Sequence, residues 1–418
     1  AILSIAIVRT FPRFKRIQWL QDSLNQSARE NLTGIRVVRA YNAEAYQEKK
    51  FENVNTELLE NSLYANRTMT LLSPFMGLVM NCLNMSIYWI GAVLISSVAA
   101  GGATGIAARV DIFADMIVFM SYAMQVIMSF IMIVMVIIIA PRALEAAKRI
   151  SEVLAAQPKV VSGTVTDSGD ISGTVEFKNV SFTYPGGSGN VLSGVSFKAD
   201  KGETVAFIGS TGSGKTTLMN LIPRFYDASE GEVLVDGVNV KDYELEALYA
   251  RIGYVSQKAV MFTGTIEDNV AFGSNADKSR LNEALEISHS AGFVSELEDK
   301  EKAHMARGGT NFSGGQKQRL SIARALCRDA EILIFDDTFS ALDFKTDREL
   351  RDALKARTAG QTKLIVAQRI GTIMSADMIV VLDEGHVVGM GTHRELLKSC
   401  EVYRQIALSQ LSEEELAI

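Results

Sequence analysis

The chain has 418 residues, 48% of them hydrophobic and 22% charged, with a formal charge of -6. An acidic chain with no basic stripe is poorly made for a phosphate backbone, which excludes nucleic acid as a partner. The apolar share is too high for a purely soluble enzyme, and it is concentrated in the N-terminal part.

Ala1 to Val8 is an uncharged apolar run that begins without an initiator Met. It is too short to span a bilayer and reads as the tail of a helix whose start is missing, so that the chain is an incomplete copy of its subunit. Arg9 to Arg67 is polar with few breakers and predicts helices that continue well beyond the bilayer. Leu71 to Val98 is uncharged, interrupted by Pro74, Asn81 and Asn84, and Met116 to Ala140 is uncharged throughout. Each is long enough to cross a bilayer, which takes about 20 apolar residues. Ser96 to Asp115, with Gly101, Gly102 and Gly105, reads as a short external loop between them. Arg9, Arg13, Lys15 and Arg16 on one side and Arg142, Lys148 and Arg149 on the other place both ends in the cytoplasm.

Met116, Met120, Met124, Met128 and Met132 recur every fourth residue and predict one stripe on the last helix, suited either to packing or to varied apolar ligands. Gln125 is the lone mid-membrane amide, for substrate or for a neighbouring helix. Pro141 predicts the end of that helix, and Arg142 to Ala156 a separate amphipathic helix. The expected division is a membrane part at 1–156, a linker rich in Ser, Thr, Gly and Asp at 157–173, and a second domain at 174–418. Cys82, Cys327 and Cys400 lie far apart without metal spacing and predict free thiols.

Glu203 to Ile208 predicts a buried strand, and Thr216, Thr217 and the residues to Ile222 a helix. Between them, Gly209-Ser210-Thr211-Gly212-Ser213-Gly214-Lys215-Thr216 fits the phosphate-binding pattern at every fixed position. Glycines let backbone N–H groups close around phosphate oxygens, and the helix N-terminus adds partial positive charge. Lys215 is placed for the β- and γ-phosphates and the Thr216 hydroxyl for Mg²⁺. Downstream, Asn311-Phe-Ser-Gly-Gly-Gln316 precedes an apolar-patterned helix, and Ile332-Leu-Ile-Phe-Asp-Asp337 is an apolar strand ending in two carboxylates. Asp336 is positioned to hold Mg²⁺ through water. No Asn-Lys-x-Asp motif is present, which argues against a GTPase.

From about Val175 to the C-terminus the chain resembles the nucleotide-binding domain of an ABC transporter, with the motifs in order. The resemblance implies that Tyr184 stacks on adenine, that Gln257 contacts Mg²⁺ and the attacking water, and that Ser313, Gly314, Gly315 and Gln316 cap the γ-phosphate on the opposite subunit. Asp343 matches the D-loop aspartate. The fold implied is a partial helical membrane domain, the end of its fourth helix plus the fifth and sixth, followed by an α/β P-loop ATPase. Arg29 to Tyr41 resembles the second intracellular loop of exporters, Asn42 to Lys49 its coupling helix, and Tyr46 the aromatic inserted into the partner's ATPase domain. Localisation to a bacterial plasma (inner) membrane is expected, with the ATPase domain cytoplasmic.

The chain departs from that family at three places. Asp337 stands where a catalytic glutamate is usual and is one methylene shorter. Gln368, after the predicted strand Lys363 to Ala367, replaces the switch histidine and cannot relay a proton. Ala306 removes a carboxylate from the loop Met305-Ala-Arg-Gly308. The first two together resemble the degenerate half of a heterodimeric exporter of hydrophobic or amphipathic molecules, whose partner is a second ABC half-transporter. A slow homodimer and an ATP-gated or regulatory membrane protein are the other readings.

Overall fold

The computed structural model describes residues 2–98, 102–274 and 276–412. The chain divides into two compact units, 1–156 and 157–418.

Among the described residues the first unit is four helices: α1 (Ile2–Ala40), α2 (Glu44–Thr70), α3 (Leu72–Ser97) and α4 (Gly102–Ala155). Helices α1 and α2 form an antiparallel hairpin that buries Leu20, Ser27, Asn61 and Ala65. Arg13 donates to Asn61 Oδ1 at 2.7 Å, Arg16 pairs with Glu57 at 2.6 Å, and Lys50 with Glu30 at 2.8 Å. The two ion pairs are half exposed and add little stability, so the apolar seam holds the hairpin. Pro74 sits in the first turn of α3, where its missing N–H breaks no helical bond. Pro74–Ser97 and Thr104–Ile133 are long and apolar enough to cross a membrane.

Three sequence expectations fail here. Residues 102–115 are helical, so most of the predicted external loop is helix; residues 99–101, Gly101 among them, lie outside the described residues. Gly102 and Gly105 sit among the helix formers Ala103, Ile106, Ala107 and Ala108, and Arg109 closes the connection by donating to Val98 O at 2.7 Å. The backbone stays helical through residue 141, because one proline removes one hydrogen bond while Ala143 to Ala147 carries the helix on. No separate helix covers 42–49: Tyr41 and Asn42 form a tight turn, with Asn42 at φ 49°, and Glu44 begins α2.

The methionines are helical neighbours but not one stripe. A four-residue step advances about 40° beyond a full turn, so five of them wind about 160° around α4. Met116 packs on α3, where a Cβ added at Gly91 would fall 1.9 Å from its Sδ, whereas Met132 is exposed.

The second unit is built on β1 (Val175–Phe182), β2 (Leu192–Ala199), β3 (Thr204–Gly209), α5 (Lys215–Leu221), β4 (Glu230–Val235), β5 (Val238–Asn239), α6 (Leu245–Ala250) and β6 (Ile252–Val255). There follow β7 (Gly264–Thr265), α7 (Ile266–Val270), α8 (Lys278–Ile287), α9 (Ala291–Ser295), β8 (His304–Met305), α10 (Gly314–Cys327) and β9 (Ile332–Asp336). The last elements are α11 (Phe344–Arg357), β10 (Thr362–Val366), α12 (Ile370–Ile373), β11 (Met378–Asp383), β12 (His386–Gly391), α13 (His393–Ser399) and α14 (Glu401–Leu408). An antiparallel sheet, β2-β1-β4-β5, stacks on a six-stranded sheet ordered β12-β11-β3-β10-β9-β6, parallel except for the edge strand β12.

Strands buried on both faces read as continuous apolar runs, and the side chains sort by parity. Val205 and Phe207 of β3, Ile332 and Ile334 of β9, and Leu364 and Val366 of β10 face the core shared with the antiparallel sheet. Ala206, Ile208, Leu333, Phe335 and Ile365 face the opposite core, under α8, α10 and α14. The parallel register brings the carboxyl ends of β3, β9 and β10 to one edge, where ligands of open α/β sheets bind.

Residues 160–167 lie along the second unit. Val165 bridges Tyr243, Gly163 N donates to Tyr243 O at 2.8 Å, and a Cβ at Gly163 would fall 2.2 Å from Asp242 O. Beside them Arg251 reaches Asp236 at 3.0 Å, Glu331 at 3.4 Å and Asp167 at 3.5 Å. Asp236 is fully buried, and that burial pushes its carboxyl up.

Candidate active site

Strand β3 ends at Gly209 and α5 starts at Lys215, so the phosphate-binding loop is the turn between them. Gly209 has no room for a side chain: an added Cβ would fall 1.9 Å from Leu382 O on the adjacent strand β11. Gly214 has φ 96° and its Cβ would meet Leu192 Cδ2 at 2.6 Å, which fixes glycine there as well. Overpacking of this kind costs about 1–3 kcal/mol, and the loop must move to relieve it. Gly209→Ala is therefore expected to lower nucleotide affinity about tenfold or more, read by equilibrium titration. Affinity within twofold of native would show that the close approach is not required.

Lys215 Nζ donates to Gly209 O at 2.9 Å, Ser210 O at 2.8 Å and Ser213 Oγ at 3.2 Å. These acceptors are neutral, so a phosphate oxygen offers the ammonium a stronger partner. Burial pushes the Lys215 ammonium down from its ordinary value, with Asp337 and Asp336 opposing. Ser210 Oγ donates to Asp383 Oδ1 at 3.2 Å. Asp383 was not singled out in the sequence, although it ends an apolar strand as Asp336 does.

Thr216 Oγ1 donates to Asp336 Oδ1 at 3.0 Å, joining the start of α5 to the end of β9. Asp336 is buried, and this pushes its carboxyl up; the Thr216 bond and Lys215 oppose, while Asp337 reinforces. A hydroxyl and a buried carboxylate are hard oxygen donors, and a buried carboxylate gains from a cation. The residues therefore fit Mg²⁺, which Thr216 and Asp336 would hold.

Asp337 follows β9 with left-handed backbone, φ 47° and ψ 32°. Its N–H donates to Val366 O at 3.1 Å, which turns the side chain toward the loops after β6 and β10. There Gln368 Nε2 donates to Asp337 Oδ2 at 2.6 Å, and Gln257 Nε2 donates to the same oxygen at 3.2 Å. The three catalytic candidates thus form one cluster, and neither partner of the carboxylate can titrate.

Tyr184 lies just beyond β1, half-buried, with its hydroxyl 3.0 Å from Thr217 Oγ1. Its ring meets Phe182 and Tyr226 edge-on, at 4.9 and 5.2 Å. The hydroxyl contact brings it to the helix that follows the phosphate loop. Tyr226 completes this aromatic corner and was not singled out from the sequence.

The remaining candidates stand apart in bonding. Ser313 caps α10, with Gln316 N donating to Ser313 Oγ at 3.3 Å and Ser313 N donating to Gln316 Oε1 at 2.9 Å. Asp343 caps α11, accepting from Thr346 N at 3.0 Å. Among the described residues, the hydrogen bonds of these side chains stay within their own helix termini. Gly314 and Gly315 would admit a Cβ without a close contact in this chain. Ala306 is held by Asn311, whose Oδ1 accepts from Ala306 N at 3.0 Å.

Residues 192–340 match the ABC transporter family, and residues 1–130 match the ABC transporter transmembrane region. An uncharacterized ABC transporter ATP-binding protein of Mycobacterium tuberculosis is 39% identical over 425 residues, covering 98% of this chain and 70% of the relative. An ATP-dependent lipid A-core flippase of Pseudomonas fluorescens is 34% identical, covering 94% of this chain and 63% of the relative. The structure of a bacterial Atm1-family ABC exporter with ATP bound superposes with a TM-score of 0.80 at 26% identity, over 99% of this chain and 72% of the exporter. Fold, motifs and relatives agree, and the chain belongs to the ABC transporters as a membrane-embedded exporter subunit with fused transmembrane and ATP-binding regions.

Proposed function

We propose that this chain is the degenerate-site subunit of a heterodimeric exporter. Its own Walker residues hold ATP and turn it over slowly, and its signature residues complete the competent site of a second ABC half-transporter. The observation that carries this reading is the Asp337 carboxylate bonded by the Gln368 and Gln257 amides. A glutamine can hydrogen-bond a γ-phosphate, but it can neither take up nor relay the proton of an attacking water. A short acid with two non-titrating partners suits binding better than hydrolysis.

Each nucleotide-side residue has a role in that reading. Lys215 and the loop from Gly209 to Gly214 hold the phosphates, Thr216, Asp336 and Gln257 serve Mg²⁺, and Tyr184 and Thr217 border the base and phosphates. Ser313, Gly314, Gly315, Gln316 and Asp343 face the opposite subunit. Mg²⁺ supplies charge neutralisation between the phosphates when bound. ATP binding closes the paired domains, and helices α1 and α2 carry the motion toward the membrane. The basic residues flanking the apolar helices support a cytoplasmic ATPase domain at the inner membrane. The named activity of the Pseudomonas relative and the apolar faces of α3 and α4 support a lipid-like or amphipathic substrate. The spiral of methionines supports packing at Met116 rather than a single ligand face.

The test is ATP turnover of the subunit purified alone and then with its co-encoded partner. The expected result is near silence alone and turnover at a pump's rate together. Fast turnover alone would make Asp337 a competent base and the assembly a homodimer.

A further inference from the structure

We infer that Gln410, beyond the end of α14, is a positioning residue for the nucleotide site. It clamps the loop that carries Gln368, and the inference rests on the reading that Gln368 serves the γ-phosphate. The loop between β10 and α12 has little of its own to hold it. Ala367 N donates to Phe207 O at 3.1 Å, and α12 starts at Ile370 from an N-cap, Arg369, that makes no side-chain cap. On either side of Arg369 the backbone presents the Gln368 carbonyl and the Ile370 N–H. The single carboxamide of Gln410 meets both: Nε2 donates to Gln368 O at 2.8 Å, and Oε1 accepts from Ile370 N at 2.8 Å. One planar amide bonding two backbone groups fixes orientation as well as distance, as a neighbouring strand would.

The clamp is anchored on rigid structure. Helix α14 buries Tyr403 and Ala407, and the Tyr403 hydroxyl lies 2.6 Å from His393 Nδ1. On the far side of the loop, the Arg369 guanidinium lies over the Phe344 ring at 4.9 Å and reaches Ser340 O at 3.5 Å. The loop is thus gripped between the C-terminal helix and the segment after Asp337. With its backbone held there, the Gln368 amide reaches Asp337 Oδ2 at 2.6 Å. Without Gln410, water replaces both backbone partners, and the amide samples positions off the carboxylate and off an incoming γ-phosphate. The C-terminal segment is therefore a working part of the nucleotide site.

The test uses the full chain with Gln410→Ala, Gln410→Glu, Gln368→Ala and the double alanine variant. Two readouts are taken: amide hydrogen exchange over 367–371, and the affinity ratio of ATPγS to ADP. Gln410 is exposed, so its two single variants should fold and keep the native affinity for ADP. Exchange at Ile370 is expected to rise in Gln410→Ala and less in Gln410→Glu, which keeps the acceptor. The ATPγS preference is expected to fall about tenfold in Gln410→Ala and equally in Gln368→Ala, the worth of one charge-assisted bond. The double variant should fall no further, because the two residues act through one amide. Unchanged exchange at Ile370, an additive double variant, or an equal loss of ADP affinity would overturn the positioning role. A Gln368→Ala variant with native preference would instead overturn the functional reading beneath it, while the exchange result still judges the clamp.

Discussion

Asp337→Glu combined with Gln368→His is expected to raise hydrolysis at this chain's own site by about 10²–10⁴-fold, the usual worth of a positioned general base. The geometry gives the reason. The Asp337 carboxylate is nearly buried and is bonded by two amides at 2.6 and 3.2 Å. A glutamate extends the carboxylate's reach by one carbon–carbon bond, about 1.5 Å. A histidine at 368 replaces a non-titrating donor with a ring that can carry charge near neutral pH. Each change alone should recover less than the pair, because both act on one carboxylate. Asp337 sits at φ 47°, which aspartate accepts more readily than glutamate, so a small loss of stability should accompany the gain. The measurement is ATP turnover of the assembled transporter with the second subunit's catalytic base removed, so that only this site reports. No gain from the double variant would mean that the slow step lies elsewhere, and the degenerate reading would fall.

Gly314→Asp is expected to leave this subunit folded and yet reduce turnover of the assembled transporter by about 10²-fold, since a group that binds phosphoryl charge is worth that much in the transition state. Gly314 is the first residue of α10, and a Cβ there meets nothing within 4 Å in this chain. Glycine in a helix costs up to about 1 kcal/mol relative to alanine, and an acid in the first turn favours the helix dipole. The chain's own fold would therefore gain from the substitution. The chain's own packing gives no reason for glycine at 314, and the proposed role of the signature, facing a second nucleotide, supplies one. Aspartate there sets a negative charge against phosphate. The checks are the thermal midpoint of the isolated subunit and ATP turnover of the pair. A lowered midpoint, or native turnover, would show that Gly314 serves this subunit's own fold instead.

The sequence determined the parts whose chemistry is contiguous. Gly209 to Thr216 carries strand, turn and helix signals within a few residues, and the strand ending at Asp336 and the helix after Gln316 are read from equally local patterns. Backbone preference and side-chain period are local, so they survive without knowledge of what packs where. Element boundaries read from single breakers did worse. Gly105 signalled a loop and Pro141 a helix end where neighbouring helix formers kept α4 going, and a four-residue methionine spacing concealed the turn it accumulates along α4. The tertiary structure alone decided which distant groups meet. Gln257 lies 80 residues before Asp337 and Gln368 lies 31 after it, and both reach one carboxylate oxygen. Asp383 meets Ser210, and Gln410 meets Gln368, across separations of 173 and 42 residues. Such meetings depend on the order and register of β3, β6, β9, β10 and β11 within one sheet, and for Gln410 on the packing of α14 against that sheet. That order is set by the burial of both sheet faces, not by any local run of residues.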